Sequence, residues 1–222
     1  MTKVKICGIT NKEDAFWASS LGADFIGINF VEESPRKVST TTAKEIIESL
    51  PKYVSAVGVF MNKDVKEISK VVKKVGFGYV QLHGDETKEY CMEIKKIFPQ
   101  IKIIKVIKIK PDKNFLQEYL DYIKEFVTVV EFFLFDTYVE SVAGGSGEVF
   151  DWSVVCEIKT LLEQENLKID FFVAGGLNSE NVTDVVEKLE PYGVDVASGV
   201  ERLPRRKDFE KMKSFIRSAK SV

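Results

Sequence analysis

The chain has 222 residues, of which 45% are hydrophobic and 30% are charged, proportions typical of a globular protein. Its formal net charge of −2 argues against the strong positive field that draws proteins to nucleic acid or to anionic membranes. No apolar run reaches the roughly 20 residues that span a bilayer, and the N-terminal residues lack the apolar segment of a signal peptide. We therefore expect a cytoplasmic protein that binds neither nucleic acid nor a membrane.

The chain contains three cysteines and a single histidine, His83. Cys7, Cys91 and Cys156 form no C-x-x-C pair and no cluster with the histidine, so their spacing argues against a zinc site. A sparse, odd set of cysteines is typical of free thiols in a reducing compartment. We expect no bound metal.

Two sequence periodicities alternate along the chain. Short apolar runs rich in β-branched and aromatic residues predict strands at 3–9, 23–30, 54–60, 79–83, 102–109, 129–137, 170–176 and 193–199. Longer charged segments between them predict helices at 11–22, 41–50, 64–75, 86–98, 114–126, 151–166, 179–190 and 208–220. The predicted helix-capping residues are Asn11, Thr42, Asp64, Asp151, and either Asn178 or Ser179.

Eight strand–helix units in one unbroken alternation predict parallel strands, because each crossover returns the chain to the same end of the sheet. The near-continuous apolar character of the strands indicates that both of their faces are covered. We predict an α/β protein with a single (β/α)8, or TIM, barrel domain over residues 1–222. A doubly wound open sheet is the alternative.

Polar side chains gather at the predicted carboxyl ends of the strands, where barrels of this type carry their active sites. They are Cys7 after the first strand, Arg36 in the long second loop, His83 after the fourth strand, Asp136 after the sixth and Asp195 on the eighth. One rim would therefore present a thiol, a guanidinium, an imidazole and two carboxylates.

Glycine-bearing turns in three late loops predict a phosphate site. They are Gly144–Gly147, Ala174–Asn178 and Ala197–Gly199. Glycine lets the backbone turn with its N–H groups pointing inward, and a helix N-terminus after the second turn adds positive potential. The late loops of such barrels frequently bind phosphate, although ordinary strand-to-helix turns would also use glycine.

Asp136 and Cys7 are the candidate proton-transfer groups. Asp136 ends the run FFLF, where apolar surroundings would disfavour its charged form and suit a general acid. It could equally be a helix cap or a salt-bridge partner. Cys7 could be a buried inert thiol, since a thiolate base needs positive charge nearby and the sequence does not show its source. Arg36 could be a solvated surface arginine, and His83 could simply satisfy a backbone carbonyl.

Seven motifs give the chain a resemblance to one family from residue 4 to about residue 207. They are VKICGIT, SPRKV, VGVF, VQLHGDE, the stretch FDT…GGSG…FDW, AGGLNSENV and VDVASGVE. In this order and spacing they resemble phosphoribosylanthranilate isomerase, an enzyme family of tryptophan biosynthesis.

The resemblance implies a cofactor-free Amadori rearrangement of the phosphorylated small molecule N-(5'-phosphoribosyl)anthranilate to 1-(2-carboxyphenylamino)-1-deoxyribulose 5-phosphate. The family's base corresponds to Cys7, its acid to Asp136, and the arginine for the anthranilate carboxylate to Arg36. The phosphate would bind at Gly145, Gly175, Gly176, Ser198 and Gly199. Asp195 would line the ribose side, and His83 would occupy the matching position on the fourth strand. A monomer and a homodimer are both compatible with the sequence.

The chain departs from the family pattern at two positions. Ala197 stands where many members have serine, and Arg205 stands where glycine is common, which puts the conformation of the last loop in question. Neither position touches the proposed acid, base or arginine.

Three rival functions fit the sequence less well. The related isomerase of histidine biosynthesis has aspartate where this chain has Cys7, and it needs a second phosphate site that VFMNKD does not provide. Indole-glycerol phosphate synthase requires catalytic lysines on early strands, and the second strand has none. A barrel that only binds a phosphorylated ligand or a partner subunit would be expected to have lost the acid or the base.

Overall fold

Eight parallel strands close into a barrel in chain order, with β8 hydrogen-bonded to β1. The structure is a computed structural model and describes residues 1–110, 112–137 and 152–222. The strands are Lys3–Cys7 (β1), Phe25–Asn29 (β2), Ser55–Phe60 (β3), Tyr79–Leu82 (β4), Lys102–Ile109 (β5), Phe132–Thr137 (β6), Phe171–Val173 (β7) and Gly193–Val196 (β8). The closed sheet confirms the predicted barrel and rules out the open doubly wound alternative.

Eight α-helices pack around the barrel within the described ranges. They are Lys12–Ser20 (α1), Thr40–Glu48 (α2), Val65–Val75 (α3), Lys88–Ile97 (α4), Leu116–Phe126 (α5), Ser153–Gln164 (α6), Val182–Leu189 (α7) and Phe209–Ala219 (α8). Their apolar faces are buried against the outer side of the sheet, as Val65, Ile68, Val72 and Val75 of α3 illustrate. None of the described helices is both long and apolar enough to cross a membrane.

The structure adds an antiparallel hairpin that sequence patterning does not predict. Its strands, Glu201–Leu203 (β9) and Arg206–Lys207 (β10), follow a single 3₁₀ turn at Ser198–Val200. The segment is charged and lacks the alternating apolar residues that predict a strand. It projects from the rim between β8 and α8.

Two predicted helix caps are confirmed and two are wrong. The side chains of Asn11 and Asp64 accept backbone N–H groups in the first turns of α1 and α3. Helix α2 begins earlier than predicted, because Ser39 accepts the N–H of Thr42. Helix α7 begins later than predicted. The Asn178 side chain accepts the N–H groups of Glu180 and Asn181, which lie before the helix, and Asn181 holds the cap position without a side-chain cap bond. The predicted cap Asp151 lies outside the described residues.

Apolar side chains fill the barrel interior toward the N-terminal ends of the strands. Its apolar residues are Phe25, Val57, Ile104, Val106, Phe132, Leu134, Phe172 and Ala174. Phe25 meets Phe172 edge to face at a centroid distance of 5.5 Å, and Phe132 meets Phe172 at 5.6 Å. Because this cluster occupies the lower half, only the carboxyl ends of the strands remain open for polar groups.

Replacing Phe172 with alanine should destabilise the protein by about 3–5 kcal/mol, because its fully buried ring joins the strands across the interior. Chemical denaturation monitored by circular dichroism measures the change. Phe16→Ala serves as the control, since that ring is 58% exposed. An equal effect of the two substitutions would contradict the assignment of Phe172 to the core.

Candidate active site

A cavity of about 250 Å³ opens at the carboxyl ends of the strands. All the predicted site residues within the described ranges line it: Cys7, Arg36, His83, Asp136, Gly175, Gly176, Asp195, Ser198 and Gly199. The remaining predicted residue, Gly145, lies outside the described residues. The alternation of inward and outward side chains along each strand brings these groups together although they come from distant parts of the chain.

Strand β1 carries two functional groups on its inward face, Lys5 and Cys7. The Lys5 side chain is completely buried, and its Nζ donates a hydrogen bond to Asp195 Oδ2 at 2.9 Å. Lys5 and Asp195 are register partners across the β1–β8 seam. Opposite Cys7 on β2 is Gly27, where a Cβ would lie 2.7 Å from the Cys7 sulfur and 3.2 Å from Lys5 Cε. The absent side chain at Gly27 thus makes room for both groups.

The Cys7 thiol has opposing electrostatic influences. Burial and the nearby Asp195 carboxylate raise the pKa of Cys7, whereas Lys5 and Lys207 favour its thiolate form. Burial also opposes the charge of Lys5, but Asp195 and Cys7 outweigh it and raise the pKa of Lys5. The resting site therefore holds a neutral thiol beside a charged ammonium. Lys5 is the source of positive charge that sequence reasoning missed, and its position two residues before Cys7 was the available signal.

His83 connects Asp136 to the barrel interior. Its Nε2 lies 3.4 Å from Asp136 Oδ2, and its Nδ1 lies 3.3 Å from the side-chain nitrogen of Gln81. With the Gln81 amide as donor, Nδ1 is the acceptor and the ring proton lies on Nε2, toward Asp136. Burial, followed by the charges of Lys108 and Lys5, lowers the pKa of His83 to about 4. A neutral imidazole at physiological pH suits a group that orients Asp136 rather than one that supplies the proton.

The late loops present backbone groups on the opposite side of the cavity. Gly175 and Gly176 adopt φ values of 90° and 63°, the left-handed region that favours glycine. The amide of Asn181 donates to Gly176 O at 3.0 Å and fixes this turn before α7. At Gly199 a Cβ would collide with the carbonyl oxygen of Leu177, so the two glycine-bearing loops touch through backbone alone. Such a surface of turns can receive a phosphate group.

Arg36 lies on the second-loop side of the cavity, with its stem over Gly8. A Cβ at Gly8, whose φ is 73°, would collide with Arg36 Cδ. The guanidinium forms a two-point ion pair with Glu201, from Nε to Oε1 at 2.8 Å and from Nη2 to Oε2 at 2.7 Å. Arg36 is therefore an ordered lining group rather than a solvated surface arginine. Sequence reasoning missed Glu201 as a functional residue. It ends the motif VDVASGVE, but nothing in the local sequence shows that it pairs with Arg36.

Fold and site together define a (β/α)8-barrel enzyme equipped for acid–base chemistry on a small anionic substrate. A sequence model described as N-(5'-phosphoribosyl)anthranilate (PRA) isomerase matches residues 4–218. The chain belongs to this family, and its function is the aldose–ketose isomerisation that the family performs in tryptophan biosynthesis.

Individual relatives agree with this assignment over more than nine-tenths of their lengths. The N-(5'-phosphoribosyl)anthranilate isomerase of Trichlorobacter lovleyi is 39% identical over 222 residues, covering 100% of each chain. That of Acetivibrio thermocellus is 42% identical over 218 residues, covering 97% of this chain and 94% of the relative. The crystal structure of phosphoribosyl anthranilate isomerase from Thermotoga maritima matches with a TM-score of 0.85 at 36% identity, covering 100% of each chain.

A further solved structure carries a bound ligand. It is a phosphoribosyl anthranilate isomerase in complex with reduced 1-(o-carboxyphenylamino)-1-deoxyribulose 5-phosphate. It matches this chain with a TM-score of 0.82 at 35% identity, covering 100% of each chain. The comparisons thus favour the family resemblance over the three rival functions.

Gly27→Ala should reduce kcat by about 100-fold. The added methyl group must displace the sulfur of Cys7, the candidate proton-transfer group, and misplacing such a group by about 1 Å has effects of this size. Steady-state kinetics measures the loss, and thermal unfolding shows whether the variant is folded. Gly78→Ala is the matched control, since a Cβ there meets nothing within 4 Å. Full activity of Gly27→Ala would contradict the crowded placement of the thiol.

Proposed function

We propose that the isomerisation proceeds by general acid–base catalysis, with Cys7 as the base and Asp136 as the acid. The observation that carries this proposal is that β1 and β6 direct a thiol and a carboxyl group into one cavity, beside the glycine turns of the late loops. The substrate is N-(5'-phosphoribosyl)anthranilate, by analogy with the related enzyme that binds the reduced product. The reaction shifts hydrogen within one molecule and has no net oxidation or reduction, so it requires no redox cofactor.

Asp136 would act first by protonating the ring oxygen of the ribose. The C1'–O bond then breaks and the ring opens, leaving an iminium ion at C1' and a hydroxyl group at C4'. Cys7, as thiolate, would remove the proton from C2', and the electron pair of that C–H bond neutralises the iminium to give an enolamine. Tautomerisation of the enolamine to the ketone yields the product.

Two positive charges would help Cys7 to ionise at the right moment. The Lys5 ammonium is permanently beside the thiol, and the iminium appears only after ring opening. Because an adjacent positive charge favours the ionised form of an acid, Lys5 favours the form of the pair in which its single proton lies on Asp136 and Cys7 is a thiolate. The iminium then stabilises this thiolate until it removes the C2' proton. Burial suppresses the thiolate in the absence of substrate, which also protects the thiol from oxidation.

The remaining site residues would bind the two anionic ends of the substrate. Gly175, Gly176, Ser198 and Gly199 would receive the phosphate through their backbone, together with Gly145 from the sixth loop. Arg36 would pair with the anthranilate carboxylate, since a guanidinium offers two parallel donors to such a group. Asp195 would line the ribose side while holding Lys5.

A cytoplasmic location belongs to the same proposal. Its support is that Cys7, Cys91 and Cys156 are all free, as expected in a reducing compartment.

Cys7→Ser and Asp136→Asn should each lower kcat/KM by about 10²–10⁴-fold, the contribution of a general acid or base. The loss of anthranilate-type fluorescence measures turnover, with the labile substrate generated in situ from anthranilate, phosphoribosyl pyrophosphate and a transferase. Cys156→Ser, at a free cysteine outside the cavity lining, is the control and should retain wild-type activity. If Cys7→Ser also retained it, the thiol would be an inert core residue.

The pH profile of kcat/KM should show a plateau through neutral pH that ends only above the ordinary thiol value of about 8.5. Cys7 and Asp136 together need one proton for the reaction, and either group can hold it. The pair loses this proton when the pH exceeds the raised pKa of Cys7. His83, with a pKa of about 4, should produce no inflection near neutrality. A steep fall in activity that sets in at or below neutral pH as the pH is raised would contradict the neutral resting thiol.

A further inference from the structure

The Arg36 guanidinium is held from one side by the hairpin β9–β10. Glu201, at the start of β9, engages Nε and Nη2, and its carboxylate is 6% exposed. Burial opposes the charge of Glu201, but Arg36 and Lys207 hold the pKa of its carboxyl group below the ordinary value. Among the described residues, Nη1 of Arg36 has no hydrogen-bond partner. The edge formed by Nη1 and Nη2 is therefore left for a ligand carboxylate.

The same hairpin also forms hydrogen bonds to the backbone on both sides of Arg36. The Nη1 group of Arg205 donates to the carbonyl oxygens of Pro35 at 2.6 Å and Lys37 at 3.0 Å. These residues flank Arg36 in the loop between β2 and α2. One arginine thus fixes the backbone of the loop, while Glu201 fixes the side chain that the loop presents.

Arg205 adopts a backbone conformation that residues with a side chain rarely adopt. Its φ is 75°, in the left-handed region that glycine adopts freely and that strains other residues. The hydroxyl of Thr10 donates to the Arg205 carbonyl at 2.6 Å and holds the turn. This conformation directs the guanidinium across to the second loop, so the departure from glycine at this position has a structural consequence.

The hairpin itself is anchored inside the protein. The Lys207 side chain is completely buried, and its Nζ donates to Ala197 O at 2.8 Å and to Glu201 Oε1 at 3.2 Å. The N–H of Lys207 donates to Asp14 in α1 at 3.0 Å. These contacts connect the hairpin to the end of β8 and to the outer helices. A hairpin fixed in this way can hold Arg36 at a constant place relative to Cys7.

We propose that Glu201 and Arg205 are positioning residues that orient Arg36 for the carboxylate of the substrate. The inference rests on the proposed role of Arg36 as the carboxylate ligand. Neither residue touches the reacting atoms, so their contribution is to affinity for the carboxylate-bearing ring. Because an ordered guanidinium loses less freedom on binding, pre-orientation strengthens the contact with the ligand.

Calorimetric titration with two ligands tests the proposal. One ligand is reduced 1-(o-carboxyphenylamino)-1-deoxyribulose 5-phosphate, and the other is the same compound without its carboxylate. Arg205→Gly accepts the positive φ but removes the guanidinium, and Glu201→Gln keeps the shape of the side chain but removes its charge. Each variant should bind the carboxylated ligand about tenfold more weakly than the wild type does. Its affinity for the ligand without the carboxylate should change by less than about twofold. Steady-state kinetics should show a raised KM with little change in kcat.

Two further variants separate the possible results. Arg202→Gly, at an exposed position of the same hairpin, should bind both ligands as the wild type does. Arg205→Lys, which keeps a cation near the two carbonyls, should recover part of the lost affinity. Equal weakening of both ligands by Arg205→Gly and Glu201→Gln, or no weakening, would overturn the positioning role.

Arg36→Gln distinguishes failure of this inference from failure of the proposed function. A selective loss of the carboxylated ligand in Arg36→Gln, with no selective loss in the two hairpin variants, would refute only the positioning role. If Arg36→Gln did not weaken the carboxylated ligand selectively either, the carboxylate would bind elsewhere. The proposed role of Arg36 and the positioning role of the hairpin residues would then both be refuted.

Discussion

The buried ion pair between Lys5 and Asp195 joins the closure of the barrel to its chemistry. The two residues are neighbours only because β8 returns to pair with β1, across a sequence separation of 190 residues. Two charges without water are costly unless they meet with good geometry, so the pair is favourable only in the correctly closed barrel. The ammonium held there lies beside the Cys7 thiol. One contact thus belongs both to the seam of the fold and to the candidate active site.

The inward faces of the strands change character along their length. On β6 they pass from Phe132 and Leu134 to Asp136, and on β4 from Tyr79 to Gln81. The aromatic lower half excludes water and gives the polar upper half a rigid floor. In such a low-dielectric setting each remaining charge acts strongly on its neighbours. This explains why burial dominates the pKa shifts of both Cys7 and His83.

Charge compensation is the rule around the cavity. Lys5 is paired with Asp195, and Arg36 and Lys207 share Glu201. The cations are therefore held in place before any substrate arrives, and binding does not have to order them. The donors that these pairs leave available can meet an anionic ligand, as can the backbone N–H groups of the late loops.

Local sequence determined the strands, most of the helices and the rim residues, because periodicity and strand ends are properties of neighbouring residues. It placed Cys7, His83, Asp136 and Asp195 at one end of the barrel, since parallel strands share a carboxyl edge. Only the tertiary structure decided which of these side chains contact each other. Arg36 and Glu201 are 165 residues apart, and the short charged strands of the hairpin have no pattern of their own. Such pairs follow from the closure and register of the whole barrel, which no local segment contains.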